Sequence, residues 1–431
     1  MIKKNIKNYN NNFLLKVASY NSLSVFFRLV SGFIVSKFMA IFIGPSGIAI
    51  TGNLSNFMQS LESLSSLGMK NGVIKYVAEN KDEPTKLKQV ISSAFFVTLC
   101  IALFLSTLLF LFSKSISLFV FDKIEYSFLF EVSALMMPFY TLQVFFISIL
   151  NGLKKVKELV QINIVGYILT TILIVFLLYR EELKGALIAI VLTPFLLFAS
   201  LFYKFSSFKF IFLNINLNFI SKVYISRIGS FFSMTLFSGI MFPIIYLFIR
   251  NYLIDNVGVT EAGYWEASRK ISNYYMLFIY TLFDLYLLPV LSEDANKVKF
   301  RATIFNFYKN VLPIALLGFV LIYFLRFFII KLVFTDEFLK MNELFGWQLL
   351  GDFFRIVSLT MAYQFFAKKM SYHYVICEIS LMIFICFSSI YLINHLSVLG
   401  AVKAHAFSYI FYTLLMFLVF RKQLFNTYEA K

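Results

Sequence analysis

Charge is scarce in this 431-residue chain: Asp, Glu, Lys and Arg make up 14% of it, against about 25% in soluble globular domains. Hydrophobic residues make up 60% and the mean hydropathy is +0.80, which excludes a soluble fold. Cysteine is almost missing. Cys100, Cys377 and Cys386 all sit in apolar runs, where free cysteine behaves as a small core residue, so neither a disulfide framework nor redox chemistry is expected. With 7 prolines, 17 glycines and no Gly/Ser/Pro-rich tract, the chain has little room for a flexible linker or a disordered tail. Enzyme signatures are absent too. There is no G-x-x-x-x-G-K-[ST] loop to cradle phosphates, no H-E-x-x-H, no C-x-x-C and no G-x-S-x-G. ATP hydrolysis by the chain itself is excluded on that ground, and no metal, cofactor or catalytic residue is called for.

What is present is a succession of apolar runs. A membrane-spanning helix needs about 20 mainly apolar residues, and runs of that length occur near 14–43, 46–69, 88–112, 126–150, 159–179, 184–203, 223–249, 262–290, 303–325, 344–367, 371–393 and 397–420. The pattern predicts an all-α polytopic membrane protein with 12 transmembrane helices. The lysine-rich start resembles a signal-peptide n-region, but the apolar stretch that follows carries Arg28 and Lys37 and no small-residue cleavage site, so it reads as a retained first span. Cytoplasmic loops carry the Lys/Arg excess of inserted proteins. With the N-terminus inside, inner segments hold 24 Lys and Arg and outer segments 8, Arg250 among the latter. Both termini are therefore expected in the cytoplasm. The formal charge of +17 is mostly this topological bias, and nucleic acid is not an expected partner.

A weak internal repeat accompanies the spans. Gly185-Ala186-x-x-Ala189 and Gly400-Ala401-x-x-Ala404 lie 215 residues apart, and Gly47 and Gly263 lie 216 apart. Six spans per half is an even number, so both halves insert the same way up, and the expected architecture is two parallel six-helix lobes around a central cavity. The corresponding domains are 1–208, a cytoplasmic connection at 209–222, and 223–431.

Ionisable residues inside spans are costly and default to functional candidates. The basic ones are Arg28, Lys37, Arg269, Lys270, Lys309, Arg355 and Lys403; the acidic ones are Glu62, Glu131, Glu266, Asp284, Asp352 and Glu378. Glu266 with Arg269 or Lys270, and Asp352 with Arg355, stand at helical spacing and read equally as structural pairs on one face. Lys37 and Lys309 are close enough to span ends to snorkel. Arg28 is deep and has no opposite charge within four residues, which makes it the leading binding candidate. The outer halves of the spans carry a net positive excess, best matched by a bound anion, and the planar fork of arginine suits phosphate oxygens. Glu62, Asp284 and Glu378 have no adjacent base in sequence; proton exchange and a structural carboxylate are both open readings. His405, beside Lys403, reads first as a hydrogen-bonded core histidine and second as a proton relay.

Several blocks have a family look when taken in order: NGVIKYVAEN from Asn71 to Asn80, GYWEASRKISNYY from Gly263 to Tyr275, YLLPVL from Tyr286 to Leu291, and FGWQLLGDFFR from Phe345 to Arg355, with Gly44-Pro45 before them and Ala367-Lys368 after them. Together they resemble the Wzx-type O-antigen translocases over nearly the whole chain, and within these most closely the enterobacterial common antigen flippases. The resemblance implies membership of the multidrug/oligosaccharidyl-lipid/polysaccharide exporter superfamily. It also implies a bacterial inner-membrane location, a flippase activity in O-antigen or related lipopolysaccharide biosynthesis, and an undecaprenyl-diphosphate-linked oligosaccharide as the substrate carried. Surrounding membrane lipid, a polysaccharide polymerase and a chain-length regulator are the other partners implied. On matching positions it assigns Arg28, Lys37, Asn53, Asn71, Lys270 and Arg355 to substrate binding, with Arg269 added because it falls in the same charged region. Asp284, Asp352 and Glu378 are assigned to ion coupling or gating. Lys75 and Lys368 also match, whereas Arg269, Asp284 and Lys403-Ala404-His405 depart from the common antigen pattern and point to a different glycan. A small-molecule antiporter of the same superfamily and a membrane-embedded glycan polymerase are the alternatives.

Overall fold

Proline cannot donate the backbone hydrogen bond that continues a helix, and only glycine readily takes a positive φ. Gly44-Pro45 combines both, and in a computed structural model of the chain Gly44 adopts φ 60° and ψ −167° inside the long helix α1 (Ile2–Ser66), dividing it into two segments. The structure describes residues 2–66, 69–229, 232–293, 297–368 and 370–424. After α1 come α2 (Met69–Asn80), α3 (Pro84–Leu111), α4 (Ser113–Phe121), α5 (Ser127–Gly152), α6 (Val156–Ala199), α7 (Phe205–Leu213) and α8 (Lys222–Gly229). Then follow α9 (Phe232–Asn256), α10 (Val259–Leu282), α11 (Leu288–Glu293), α12 (Lys297–Phe324) and α13 (Arg326–Val333). The chain closes with α14 (Phe345–Ala367), α15 (Ser371–Val419) and α16 (Arg421–Leu424). Among the described residues there is no strand.

Breaks at Glu182 in α6 and Ser397 in α15, like that in α1, turn one continuous helix into two spans. With α3, α5, α9, α10, α12 and α14 this yields, among the described residues, twelve long helical segments at the positions of the apolar runs. Large apolar side chains such as Phe104, Phe176 and Phe324 are exposed, as suits a surface that faces hydrocarbon.

The repeat is written in the backbone more clearly than in the sequence. Glu182 (φ 47°) and Ser397 (φ 54°) are non-glycine residues in the left-handed region, 215 positions apart. Three residues on, Gly185 and Gly400 sit so close to the carbonyl carbons of Leu177 and Leu392 that a β-carbon has no room at either. The turns preceding α6 and α15 share a bond as well: Lys155 N–H donates to Leu150 O at 3.0 Å, and Met370 N–H to Phe365 O at 2.8 Å, again with an offset of 215. Gly400→Ala therefore forces a β-carbon against backbone and should cost about 1–3 kcal/mol as overpacking. The expected result is a lower melting midpoint in detergent, whereas an unchanged midpoint would show that the break has slack.

Two compact units form, one from residues up to Phe42 with Leu54–Ile240, the other from Ile43–Asn53 with the chain from Met241 onward. In the first, α2, α3 and α5 enclose Val77, Val90, Ile91, Phe145 and Ile149, and Gly152 lets α5 approach Val77 closely. Residues 209–222, expected as a connection, comprise the end of α7 and a 3-10 turn tied to α3: Ser92 Oγ accepts from Asn216 N–H at 3.0 Å and Ser93 Oγ from Ser221 N–H at 2.9 Å. In the second unit α14 packs along α15, with Phe365 set against Tyr374 and Phe420.

Candidate functional site

The second unit gathers its charges into a buried network, and glycine packing is what brings the helices close enough. Gly263 of α10 abuts the backbone of Pro45, and Ser46 Oγ lies 3.2 Å from Thr260 Oγ1, so the start of the second α1 segment runs beside α10. Seven residues along, a β-carbon on Gly52 would stand 3.0 Å from both Arg250 Cζ and Glu266 Cδ. Arg250, on α9, is completely buried: Nη1 donates to Asn53 Oδ1 at 2.8 Å and Nη2 pairs with Glu266. Asn53 Nδ2 in turn donates to Asn251 Oδ1 at 2.6 Å. Arg269 shares Glu266 at 3.2 Å and stacks on Tyr246, its guanidinium carbon 3.6 Å from the ring centroid. Lys270 adds its charge beside Glu266.

Asp352 on α14 is the second hub. Fully buried, its Oδ2 accepts from Ser272 Oγ at 2.6 Å, Tyr275 OH at 2.5 Å and Gln348 Nε2 at 3.0 Å, while Oδ1 faces His405 Nε2 at 3.1 Å and Arg355 Nη1 at 3.7 Å. Five groups converging on one carboxylate satisfy it as an anion. Arg355 lies between the rings of Tyr280 and Tyr409, at 5.6 and 5.5 Å from their centroids. Four cations, Arg250, Arg269, Lys270 and Arg355, thus meet two carboxylates, and a positive excess persists within this network. An anion with oxygen acceptors matches that excess.

The predicted site residues divide accordingly. Asn53, Arg269, Lys270, Arg355 and Asp352 belong to this network. The pairings Glu266 with Arg269 and Asp352 with Arg355, foreseen from helical spacing, both form. Glu378 is elsewhere on α15, buried, accepting a 2.6 Å bond from Tyr412 OH, with no ion pair among the described residues. Asp284 sits in a π-helical turn between α10 and α11, exposed, and accepts from Tyr363 OH at 3.1 Å. Arg28 is exposed and Lys37 half-buried on the first segment of α1; Asn71 is exposed on α2. These three belong to the other unit.

Arg250 is a correction. Its place after the apolar run ending near 249 assigns it to an outer segment, but α9 continues to Asn256 and carries Arg250 inside the fold. A signal for this exists in the sequence: Arg250 precedes Gly258 by as many residues as Glu266 follows it, so a helical hairpin turning at Gly258 sets the two side by side. His405 does take the hydrogen-bonded core position, with Asp352 as its partner.

A chain of twelve helical spans has the fold class of two-lobe, multi-span membrane proteins, and solved structures of that fold superpose on it. An inward-facing multidrug resistance MATE family transporter of the MOP superfamily matches with a TM-score of 0.77 at 14% identity, covering 94% of this chain and 96% of that one. The lipid II flippase MurJ, in its inward closed conformation, matches with a TM-score of 0.72 at 17% identity, covering 94% and 87%. The chain belongs to the polysaccharide biosynthesis protein family, whose model matches residues 14–295. The lipid III flippases of Escherichia coli (strain K12) and Shigella flexneri are each 26% identical over 417 residues, 95% of this chain and 99% of theirs. These relatives are flippases and transporters, not enzymes.

Proposed function

We propose that the protein is an inner-membrane flippase that moves an undecaprenyl-diphosphate-linked oligosaccharide, an O-antigen repeat unit or a related glycan, from the cytoplasmic to the periplasmic leaflet. The observation that carries this reading is the cationic excess of buried Arg250 and part-buried Arg269, Lys270 and Arg355 over Glu266 and Asp352. A diphosphate with attached sugars cannot enter hydrocarbon unless its lost water is replaced by donors, and arginine forks replace it. Cationic drugs, the cargo of a small-molecule antiporter, would meet repulsion at the same groups.

In this scheme Arg28, Lys37, Asn53, Asn71, Arg269, Lys270 and Arg355 bind the diphosphate and its sugars in turn, the polyprenyl tail stays in lipid, and access alternates between leaflets with both termini cytoplasmic. Asp284, Asp352 and Glu378 serve ion coupling or gating in different ways: Asp352 is held by its five neighbours as a gate, while Glu378, with one hydroxyl donor and no cation among the described residues, is suited to taking up a proton or a sodium ion. Polymerase and chain-length regulator act downstream on the delivered repeat unit.

Deleting the gene should trap lipid-linked repeat units on the cytoplasmic face. Labelling of those units from the periplasm at the normal rate would refute the reading. Glu378→Gln keeps the Tyr412 hydrogen bond but cannot ionise, so transport by this variant should lose its response to an imposed ion gradient. A gradient response equal to the parent's would remove Glu378 from coupling.

A further inference from the structure

Behind the charge network, whose Tyr275 packs on Phe319, α12 and α14 leave a slot between them that has the form of a lipid. Its lower part, about 400 Å³, is walled by apolar side chains including Leu316, Phe319, Phe324, Leu349 and Phe353. On α12 it extends from Leu316 to Phe324, about 12 Å at 1.5 Å per residue, close to the depth of one leaflet of a hydrocarbon core about 30 Å thick. Gly346 keeps it open, for the nearest atom to a β-carbon placed there is Tyr323 Cε2 at 3.7 Å. Above it, sharing Tyr323, Gly346 and Leu350, is a polar mouth of about 590 Å³ that includes Arg326, Glu343 and Trp347.

The charges of the mouth are not spent on each other. Arg326 is fixed by a 2.7 Å bond from Nη1 to Tyr323 O and by stacking on Tyr323 and Phe327, yet it forms no ion pair among the described residues and its buried Nε has no acceptor. Glu343 is exposed and likewise has neither ion pair nor hydrogen bond among the described residues. One cation and one anion bordering a common cavity, at the end of a hydrocarbon-lined slot, complement a head group that carries both signs. We infer that this slot binds a zwitterionic phospholipid, phosphatidylethanolamine, with its phosphate on Arg326, its ammonium on Glu343 and one acyl chain between α12 and α14. An anionic phospholipid would leave Glu343 facing a negative head, and a polyprenyl diphosphate would do so with a larger charge. Trp347 stands where an interfacial aromatic is expected, with Lys403 Nζ 5.2 Å from its ring centroid.

Trp347 also supplies the readout, since Trp265, the other of the 2 tryptophans, is buried. Purified protein in detergent is titrated with phosphatidylethanolamine or phosphatidylglycerol carrying identical brominated chains, and quenching of tryptophan fluorescence is followed. Phosphatidylethanolamine should bind about tenfold more tightly, the factor expected from one additional charge-assisted hydrogen bond. Glu343→Gln should abolish that preference, Arg326→Ala should weaken both lipids, and Gly346→Leu, which fills the slot, should remove quenching by either. Equal affinity for the two lipids in the parent, or a preference unaltered by Glu343→Gln, would overturn the inference. So would displacement of bound phosphatidylethanolamine by polyprenyl diphosphate at lower concentration, which would make the slot a substrate site.

Discussion

Arg250→Met should be among the most damaging single substitutions in the chain. The change keeps an unbranched apolar stem but shortens the side chain and removes the guanidinium: Glu266 keeps Arg269 at 3.2 Å but loses its fully buried partner, and Asn53 loses its 2.8 Å donor. Removing one member of a buried pair costs about 3–5 kcal/mol, and because Arg269 and Lys270 still offset Glu266 while the Arg250 bonds to Glu266 and Asn53 are lost, a cost of about 3 kcal/mol is expected. Little folded protein should be recovered in detergent, and what is recovered should melt early. The same physics predicts a partial rescue. Replacing Glu266 by Leu in the Arg250→Met background exchanges the whole pair for apolar side chains, which is often neutral, although Arg269 then loses its 3.2 Å partner and limits the rescue. The double variant should be more stable than Arg250→Met alone, a coupling readable in a double-mutant cycle. Additive losses would mean that Arg250 works through packing against Trp265, 5.6 Å from its charge centre, rather than through the ion pair.

Asp352→Ala should be comparably severe, for a different reason. Here a single acceptor is removed from beneath a set of donors, leaving Ser272, Tyr275 and Gln348 without the oxygen they share, His405 without its hydrogen-bond partner, and Arg355 without its counter-charge. Each buried donor left unsatisfied costs about 1–3 kcal/mol. Gln348 Oε1 already lacks a partner, so this corner has little spare hydrogen-bonding capacity. Asp352→Asn retains one acceptor oxygen and should fold, but without the charge that steadies Arg355. It should therefore separate stability from transport, with near-parental yield and strongly reduced translocation. Normal translocation by Asp352→Asn would show that the carboxylate is structural alone.

Spans and repeat are legible in the sequence because both depend on local properties. An apolar run of sufficient length is a span wherever it occurs, and the Gly185 and Gly400 motifs mark equivalent breaks because the close helix approach there excludes a side chain. The network is half legible. Glu266 with Arg269 and Asp352 with Arg355 are three residues apart on their helices, a spacing that predicts contact. Arg250 with Asn53 spans 197 residues and Asp352 with His405 spans 53, contacts that only tertiary packing decides. Arg250 is also hidden by a boundary: a hydropathy run ends where the first charge appears, whereas a helix ends where its backbone is broken, and α9 continues to Asn256 because Gly258 is the first residue there with a positive φ.

Whether the cationic excess serves to carry a lipid-linked diphosphate across the membrane is tested most directly in liposomes. The reconstituted protein is given fluorescent undecaprenyl-diphosphate oligosaccharide beside a lipid-linked oligosaccharide of the same length without the diphosphate, and translocation of each is measured. Rapid movement of the diphosphate lipid alone, lost when Arg355 is replaced by Ala, is the predicted result. Equal movement of both lipids, or undiminished movement by the Arg355→Ala protein, would contradict it.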